Sequence, residues 1–463
     1  GESIVEFIAN IGFCYTMLKH YELAQTKFEE ALELAKKYNR PQDIPSIFSL
    51  MGFFYEMQGQ VDKAIHFYQQ AVQAGKEIEG KDAQESVLNA MNSLAKIYGQ
   101  LKQYSKALES LQQVIEMSTK MGQEGPTARA YFEMGEIYHS QAQFTKAIES
   151  FEHSIKLYNK LLNPLPEDPN YVLTYQIYRY LGLNKIAMTY TYDLKKYKEA
   201  IPYYEQTLAN IPPNWSQGLA TVYTRFGQTY YFLQNYDKAL EIYQQALMLA
   251  SETNDLNAKA PLLHSIGLTY DEKGDVKNAI VFYEQAVATY REINRPKDTI
   301  VILTSMANIY LYTFKENDKA LAFFEQILKI AQEHDPTQLA FALSNLGHFY
   351  YSKYDFDTAL KYFEQGLLEA RKHQNPNELL DALYYTGLTH KNKQHNDQAI
   401  SYLEEAFALA QQLGNDERVG YIFEALSQIY AKIENSQKLS QLFQATLAYY
   451  QSRLKEHHAN GDT

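Results

Sequence analysis

The sequence predicts an all-α chain folded as a right-handed superhelical solenoid of about eleven helical hairpins. Three observations carry that expectation. A small residue recurs at Gly12, Gly52, Ala95, Gly135, Ala187, Gly227, Gly267, Ala307, Gly347, Gly387 and Ser427, at steps of 40, 43, 40, 52 and then 40 six times. A tyrosine follows three residues later in ten copies, from Tyr15 and Tyr55 to Tyr350 and Tyr430, with His390 the exception. A second small residue comes next, at Ala24, Ala64, Ala107, Ala147, Ala200, Ala239, Ala279, Ala320, Ala359 and Ala399. One hairpin cannot bury its own apolar face, so units of this kind must stack on neighbours.

Each element of the hairpin has a physical reason. The first small residue lets helix A approach helix B closely, and large residues fill the space between them. Four positions before it stand Phe48, Met91, Tyr131, Tyr223, Leu263, Leu303, Leu343, Leu383 and Phe423, all large and apolar. Four after the second small residue come Phe28, Tyr68, Phe151, Tyr243, Tyr283 and Phe363. The start of helix B is marked by Asp62, Ser105, Thr145, Asp237, Asp318, Asp357 and Asp397, residue types that cap exposed backbone N–H groups. Pro41, Pro164, Pro296, Pro336 and Pro376 each lie 29 residues after a first small residue, and proline cannot continue a helix interior.

This pattern resembles the tetratricopeptide repeat (TPR) over about residues 3 to 455. The helix-ending proline comes about five residues later than in the usual repeat, so helix B should run roughly one to one and a half turns longer. Long repeats of this sort resemble those of kinesin light chains, Leu-Gly-Asn-repeat adaptors and bacterial sensor arrays. The carboxylate clamp of chaperone-tail receptors is not expected, because Lys96 and Arg129 are followed by mostly neutral groove positions.

Composition excludes several classes. The balance of 55 acidic against 43 basic residues, −12, and the lack of a Lys/Arg-rich run argue against nucleic acid as a partner. No stretch of about 18 apolar residues suggests a membrane span and no leader pattern opens the chain, so a cytoplasmic protein is expected. The single cysteine, Cys14, excludes a disulfide framework and reads as a small buried residue of the first helix A. The opening Gly1-Glu2-Ser3 lacks an initiator Met and runs straight into a helix-A pattern, which predicts a start cut by design from a longer protein.

One step is irregular. Between Gly135 and Ala187 about twelve residues are inserted, including Pro164, Pro166 and Pro169, and a Tyr-dense stretch follows. An extended joint is expected there. The predicted organisation is a subarray over 1–162, a Pro-rich insertion over 163–174, a second subarray over 175–455 that ends in a cap, and a polar tail over 456–463.

Catalytic chemistry is not legible. The chain has no phosphate loop, Cys-x-x-Cys, His-Glu-x-x-His or calcium-loop pattern, and no enzyme, metal or other cofactor is expected. His390, His395 and the pair His457-His458 read as solvated, and Trp215, within a weak glycosylation sequon, reads as packing over a loop. Function must then come from the surface of the solenoid. Residues three before, one after and four after the first small residue should line the concave groove. Those chosen as a peptide- or protein-binding site are Asn92, Thr224, Gln228, Tyr231, His264, Asp271, Asn308, Ser344, His348, Tyr351, Tyr384 and Lys391. They mix amide, hydroxyl and aromatic groups that can bind a peptide backbone and stack on its side chains. The expected function is a protein-interaction scaffold. The alternative is the sensing array of a larger bacterial signalling protein whose ATPase, protease or quorum-receptor part lies outside these residues.

Overall fold

A computed structural model describes residues 4–76, 78, 80–212 and 218–459. The described residues form 22 α-helices and no strand, as eleven hairpins require. They fall into two compact units, residues 1–246 and 247–463. The first holds α1 (Ile4–Met17), α2 (Tyr21–Lys37), α3 (Ile44–Met57), α4 (Val61–Gly75), α5 (Lys81–Gln100) and α6 (Tyr104–Lys120). It continues through α7 (Glu124–Ser140), α8 (Phe144–Leu161), α9 (Pro169–Met188), α10 (Tyr197–Ala209) and α11 (Leu219–Phe232). The division falls within α12 (Tyr236–Glu252). The second unit holds α13 (Leu256–Glu272), α14 (Val276–Glu292), α15 (Ile300–Asn308), α16 (Asn317–His334) and α17 (Leu339–Ser352). It ends with α18 (Phe356–His373), α19 (Pro376–Asn392), α20 (Asn396–Gln412), α21 (Asp416–Lys432) and α22 (Ser436–Ala459).

The repeated residues are the core. All ten alanines of the second small position have no exposed surface. Glycine at the first small position permits an approach that a methyl would block. A Cβ on Gly52, Gly135, Gly227 or Gly347 would lie 2.5–2.6 Å from the ring of Tyr68, Phe151, Tyr243 or Phe363. The tyrosine three further on stacks on a ring of helix B, as in Tyr55–Phe67 at 5.1 Å, Tyr270–Phe282 at 5.4 Å and Tyr350–Tyr362 at 5.6 Å. A lysine covers the other side in several copies, with Lys63 over Tyr55 and Lys319 over Tyr310, both at 5.1 Å. His390 is therefore not solvated. It is 6 % exposed and stacks on Tyr402 at 5.5 Å, taking the place of the tyrosine. His395 is exposed, as expected.

Several A helices, which are the odd-numbered ones, touch the next A helix, as in α3 with α5, α7 with α9 and α17 with α19. This close side is the groove side. Position two after the small residue faces the preceding hairpin, so Phe54, Ile97, Ile309 and Phe349 are buried there. Cys14 holds that position in the first hairpin. It is exposed, contrary to expectation.

The expected caps are also corrected. Asp62, Asp318, Asp357 and Asp397 sit at the second residue of their helices, where a carboxylate meets the helix dipole rather than a free N–H. Some helices are capped one residue earlier, with Asp275 accepting from the Asn278 N–H at 3.2 Å and Asp355 from Thr358 at 3.1 Å. The helices of Asp62, Asp318 and Asp397 carry no side-chain cap. The residue before each cap turns the chain with positive φ, from Lys19 at 61° to Gly274 at 84° and Gln394 at 62°.

Two hairpins carry one extra residue, Ala187 to Ala200 and Ala307 to Ala320 spanning 13 positions where the others span 12. Both absorb it in the same way. Their A helices end in a single π turn, Thr189–Asp193 and Ile309–Thr313, which swings Tyr192 and Tyr312 outward to 38 % and 64 % exposure.

The Pro-rich joint is shorter than predicted. Asp168 caps Asn170 at 2.8 Å and Pro169 opens α9, so residues 169–174 are helical. α8 packs on α9, and the joint lies inside the first unit rather than between the two units. Trp215 and the end of the polar tail, 460–463, lie outside the described residues, as do the side chains of His457 and His458.

Candidate partner-binding surface

Two adjoining concavities on the groove side lie in the first unit. One of about 500 Å³ opens between α3, α5 and α7, lined by Glu56, Asn89, Asn92, Lys96, Arg129, Glu133 and Glu136 among others. A second of about 540 Å³ adjoins it and shares Asn89, Asn92 and Arg129. Its further wall is the start of α9, which contributes Tyr171, Thr174, Tyr175 and Tyr178. The Tyr-dense insertion thus supplies an aromatic wall.

Ion pairs hold most charges in place. Lys96 donates to Glu56 at 3.0 Å and Lys185 to Glu136 at 2.9 Å, while Arg129 lies 3.8 Å from Glu133 and over the Tyr178 ring at 5.9 Å. Burial pushes the Glu133 carboxyl above the usual carboxylate range, with Arg129 opposing. The Asn92 Oδ1 is buried and has no partner, as does one oxygen of Glu136. Of the chosen residues only Asn92 lines these cavities. Asn89, which the sequence pattern did not single out, and Arg129, which it noted only as a clamp-type cation, both stand six positions before a first small residue. One more helical turn back along the same face would have found them.

The other chosen residues have duties of their own. Thr224 donates to the Ala220 carbonyl at 2.7 Å, and Gln228 accepts from the Tyr192 hydroxyl at 2.5 Å. Tyr231 packs on Phe232 and Tyr236. In the second unit His264 lies half-buried against Tyr283, and burial lowers it to about 4. Asp271 accepts from Tyr283 at 3.4 Å, and burial pushes its carboxyl up. Lys391 donates to Gln428 at 2.6 Å, Ser344 is half-buried, and Asn308 is exposed.

His348, Tyr351 and Tyr384 do come together, around Tyr385. His348 meets its ring edge-on at 4.0 Å, and Phe363 stacks on it at 5.7 Å. Tyr351 accepts from Asn392 at 2.7 Å. Tyr384 was expected in the open groove but is 8 % exposed, because the Arg418 guanidinium covers it at 4.9 Å while bonding Asp381 at 2.6 Å. Burial and then the Arg418 charge lower His348 to about 4.

This is a stacked helical-repeat array with a polar and aromatic groove side. Family profiles agree: a MalT-like TPR region matches residues 221–412, and tetratricopeptide-repeat profiles match 43–120, 128–161 and 182–212. The chain is a tetratricopeptide-repeat protein. It shares its fold with a signal-transduction ATPase with a tetratricopeptide-repeat sensor from Pyrococcus horikoshii, at 15% identity and a TM-score of 0.51 over 93% of this chain and 66% of that one. The apo form of RapI aligns at 13% identity and a TM-score of 0.41, covering 63% of this chain and 99% of that one. The nearly identical kinesin-light-chain TPR-like repeats of Podosopora anserina align at 20% and 0.37, covering 47% and 100%. No curated protein sequence matches the chain. No helix among the described residues is long and apolar enough to cross a membrane.

Proposed function

We propose that the chain is a protein-interaction scaffold that holds an extended peptide segment along the A helices of its first unit. The observation that carries this reading is the pair of adjoining cavities around Asn89, Asn92 and Arg129, with the Asn92 carbonyl oxygen buried and unbonded. A buried amide oxygen without a partner costs free energy, on the order of 1–3 kcal/mol, which a ligand N–H recovers. A side-chain amide both donates and accepts, so it can pair with a peptide unit. The tyrosines of α9 offer flat surfaces for the side chains between those contacts. Selection of binders from a random 12-residue peptide library, followed by calorimetry, tests the reading. Enriched peptides should lose at least tenfold in affinity with Asn92→Ala and keep it with a change on the exposed side of a B helix, such as Glu109→Ala.

The alternative, a sensing array within a larger signalling protein, would use the same surface. What favours it is the shared fold with the ATPase whose repeats are described as a sensor. An effector domain in the same open reading frame would decide for it.

A further inference from the structure

Where the fifth and sixth A helices meet, in the first unit, there is a cation without an anion. α9 and its π turn present Asn184, Met188 and Tyr192 one turn apart, and α11 presents Arg225, Gln228 and Phe232 opposite. The two rows are in contact: Arg225 Nη1 donates to the Met188 sulfur at 3.1 Å, Tyr192 donates to Gln228, and Tyr192 meets the Phe232 ring edge-on at 6.4 Å. Arg225 is half-buried, and no carboxylate of the described residues lies within 4 Å of it. A thioether is a poor exchange for a carboxylate. Arg418, likewise half-buried, has Asp381, and the exposed Arg129 has Glu133. The Arg225 charge also acts on the hydroxyls of Tyr180, Tyr192 and Tyr204. One turn before Met188, Asn184 is only 9 % exposed, and its Oδ1 has no partner. An unpaired cation and an unbonded amide thus share one strip of surface.

We infer that Arg225 and Asn184 form a subsite for an acidic side chain of the bound segment, an Asp or Glu whose carboxylate takes the guanidinium and whose neighbouring backbone N–H takes the amide oxygen. The inference rests on the peptide-binding reading above and adds a sequence preference to it. The extra residue of the fifth repeat has a role here. The π turn places Tyr192 over Gln228, closing the strip beside the arginine. Charge-assisted bonds of this kind are the strongest a guanidinium makes, and planar pairing favours a carboxylate over an amide of the same shape.

Met188 makes the subsite observable. In protein labelled with ¹³C at its methionine methyls, the Met188 signal, assigned by its loss in Met188→Leu, is followed on titration with acetyl-Ala-Glu-Ala-amide. It should move saturably, with an apparent affinity at least tenfold tighter than for acetyl-Ala-Gln-Ala-amide. Arg225→Gln should abolish the response while leaving the other methionine signals in place. Arg225→Lys should keep part of it, and Asn184→Ala should weaken it severalfold. Equal response to the Glu and Gln probes, response only to acetyl-Ala-Ala-Ala with a free C-terminal carboxylate, persistence in Arg225→Gln, or no response would each overturn the assignment. The probes are too short to fill the α3–α5–α7 cavity. A negative result therefore leaves the library peptides and their dependence on Asn92 standing, and the two readings fail separately.

Discussion

The ring of Tyr283 lies directly against the α-carbon of Gly267, so close that a Cβ there would stand 2.5 Å from its Cδ1. Tyr283 has no exposed surface, and its backbone is held between neighbouring helices, so the ring has little room to retreat. Gly267→Ala should therefore destabilise the second unit by about 1–3 kcal/mol, the usual cost of overpacking a filled core. Alanine's better helix propensity, worth roughly 1 kcal/mol, offsets only part of this. Urea unfolding would measure the balance, and an unchanged midpoint would mean that the ring moves freely.

The hairpin turns carry a second expectation. Gly274 and Gln394 hold the same turn position with φ of 84° and 62°. A side chain in this left-handed region costs on the order of 1 kcal/mol. Gly274→Ala should lower stability by about that amount, and Gln394→Gly should raise it or leave it unchanged, since the unfolded chain gains freedom in return. Thermal melting of the two variants should move in opposite directions or, for Gln394→Gly, not at all.

Two half-buried histidines give the stability a pH dependence. His264 and His348 are both lowered to about 4 by burial, with Arg418 adding to the effect at His348. Each is neutral in the folded chain, while in the unfolded chain it takes up a proton below its ordinary value near 6.5. The unfolded state thus binds more protons between about pH 6.5 and 4, so stability is full above that window and is lost as pH falls through it. Replacing His264 by Asn should flatten the decline between pH 6.5 and 5 by about 1.5 kcal/mol. Parallel curves for wild type and variant would show that His264 reaches its proton in the native state.

The joint before α9 should be the first point of cleavage within the first unit. Asn163, Pro164 and Leu165 are exposed, and the last of these keeps 65 % of its surface. A protease that accepts leucine should nick there before it cuts inside any hairpin. Because α8 packs on α9, the two fragments should stay together after the cut. Early cleavage inside the hairpins α5/α6 or α7/α8 would contradict this.

What the sequence discloses and what it withholds follow from where the repeat constrains it. The Gly–aromatic contact and the fully buried alanines recur at fixed steps, so their positions are legible in the amino-acid sequence itself. The stack between His390 and Tyr402 is hidden there because its partner position, twelve residues on, is tyrosine in some copies and phenylalanine in others. Tyr384 and Tyr351 look free of packing duty in the repeat pattern. Their packing comes from residues of other hairpins or of their own turns, Arg418 for one and Phe356 and Asn392 for the other. Contacts of that kind leave no periodic trace. The cavities around Asn92 are hidden for a similar reason, since one wall belongs to the insertion, where the 40-residue spacing is broken.

The central claim is that this groove side of the first unit takes a peptide, and Asn92 is its most direct probe. Calorimetry of library-selected peptides against wild type and Asn92→Ala measures it, with circular dichroism to confirm that both are equally helical. The account predicts nanomolar-to-micromolar binding by wild type and at least a tenfold loss in the variant, about 1.4 kcal/mol. Selected peptides that bind both proteins equally, and that lose affinity instead on changing Glu109, would place the site on the B-helix side and contradict the account.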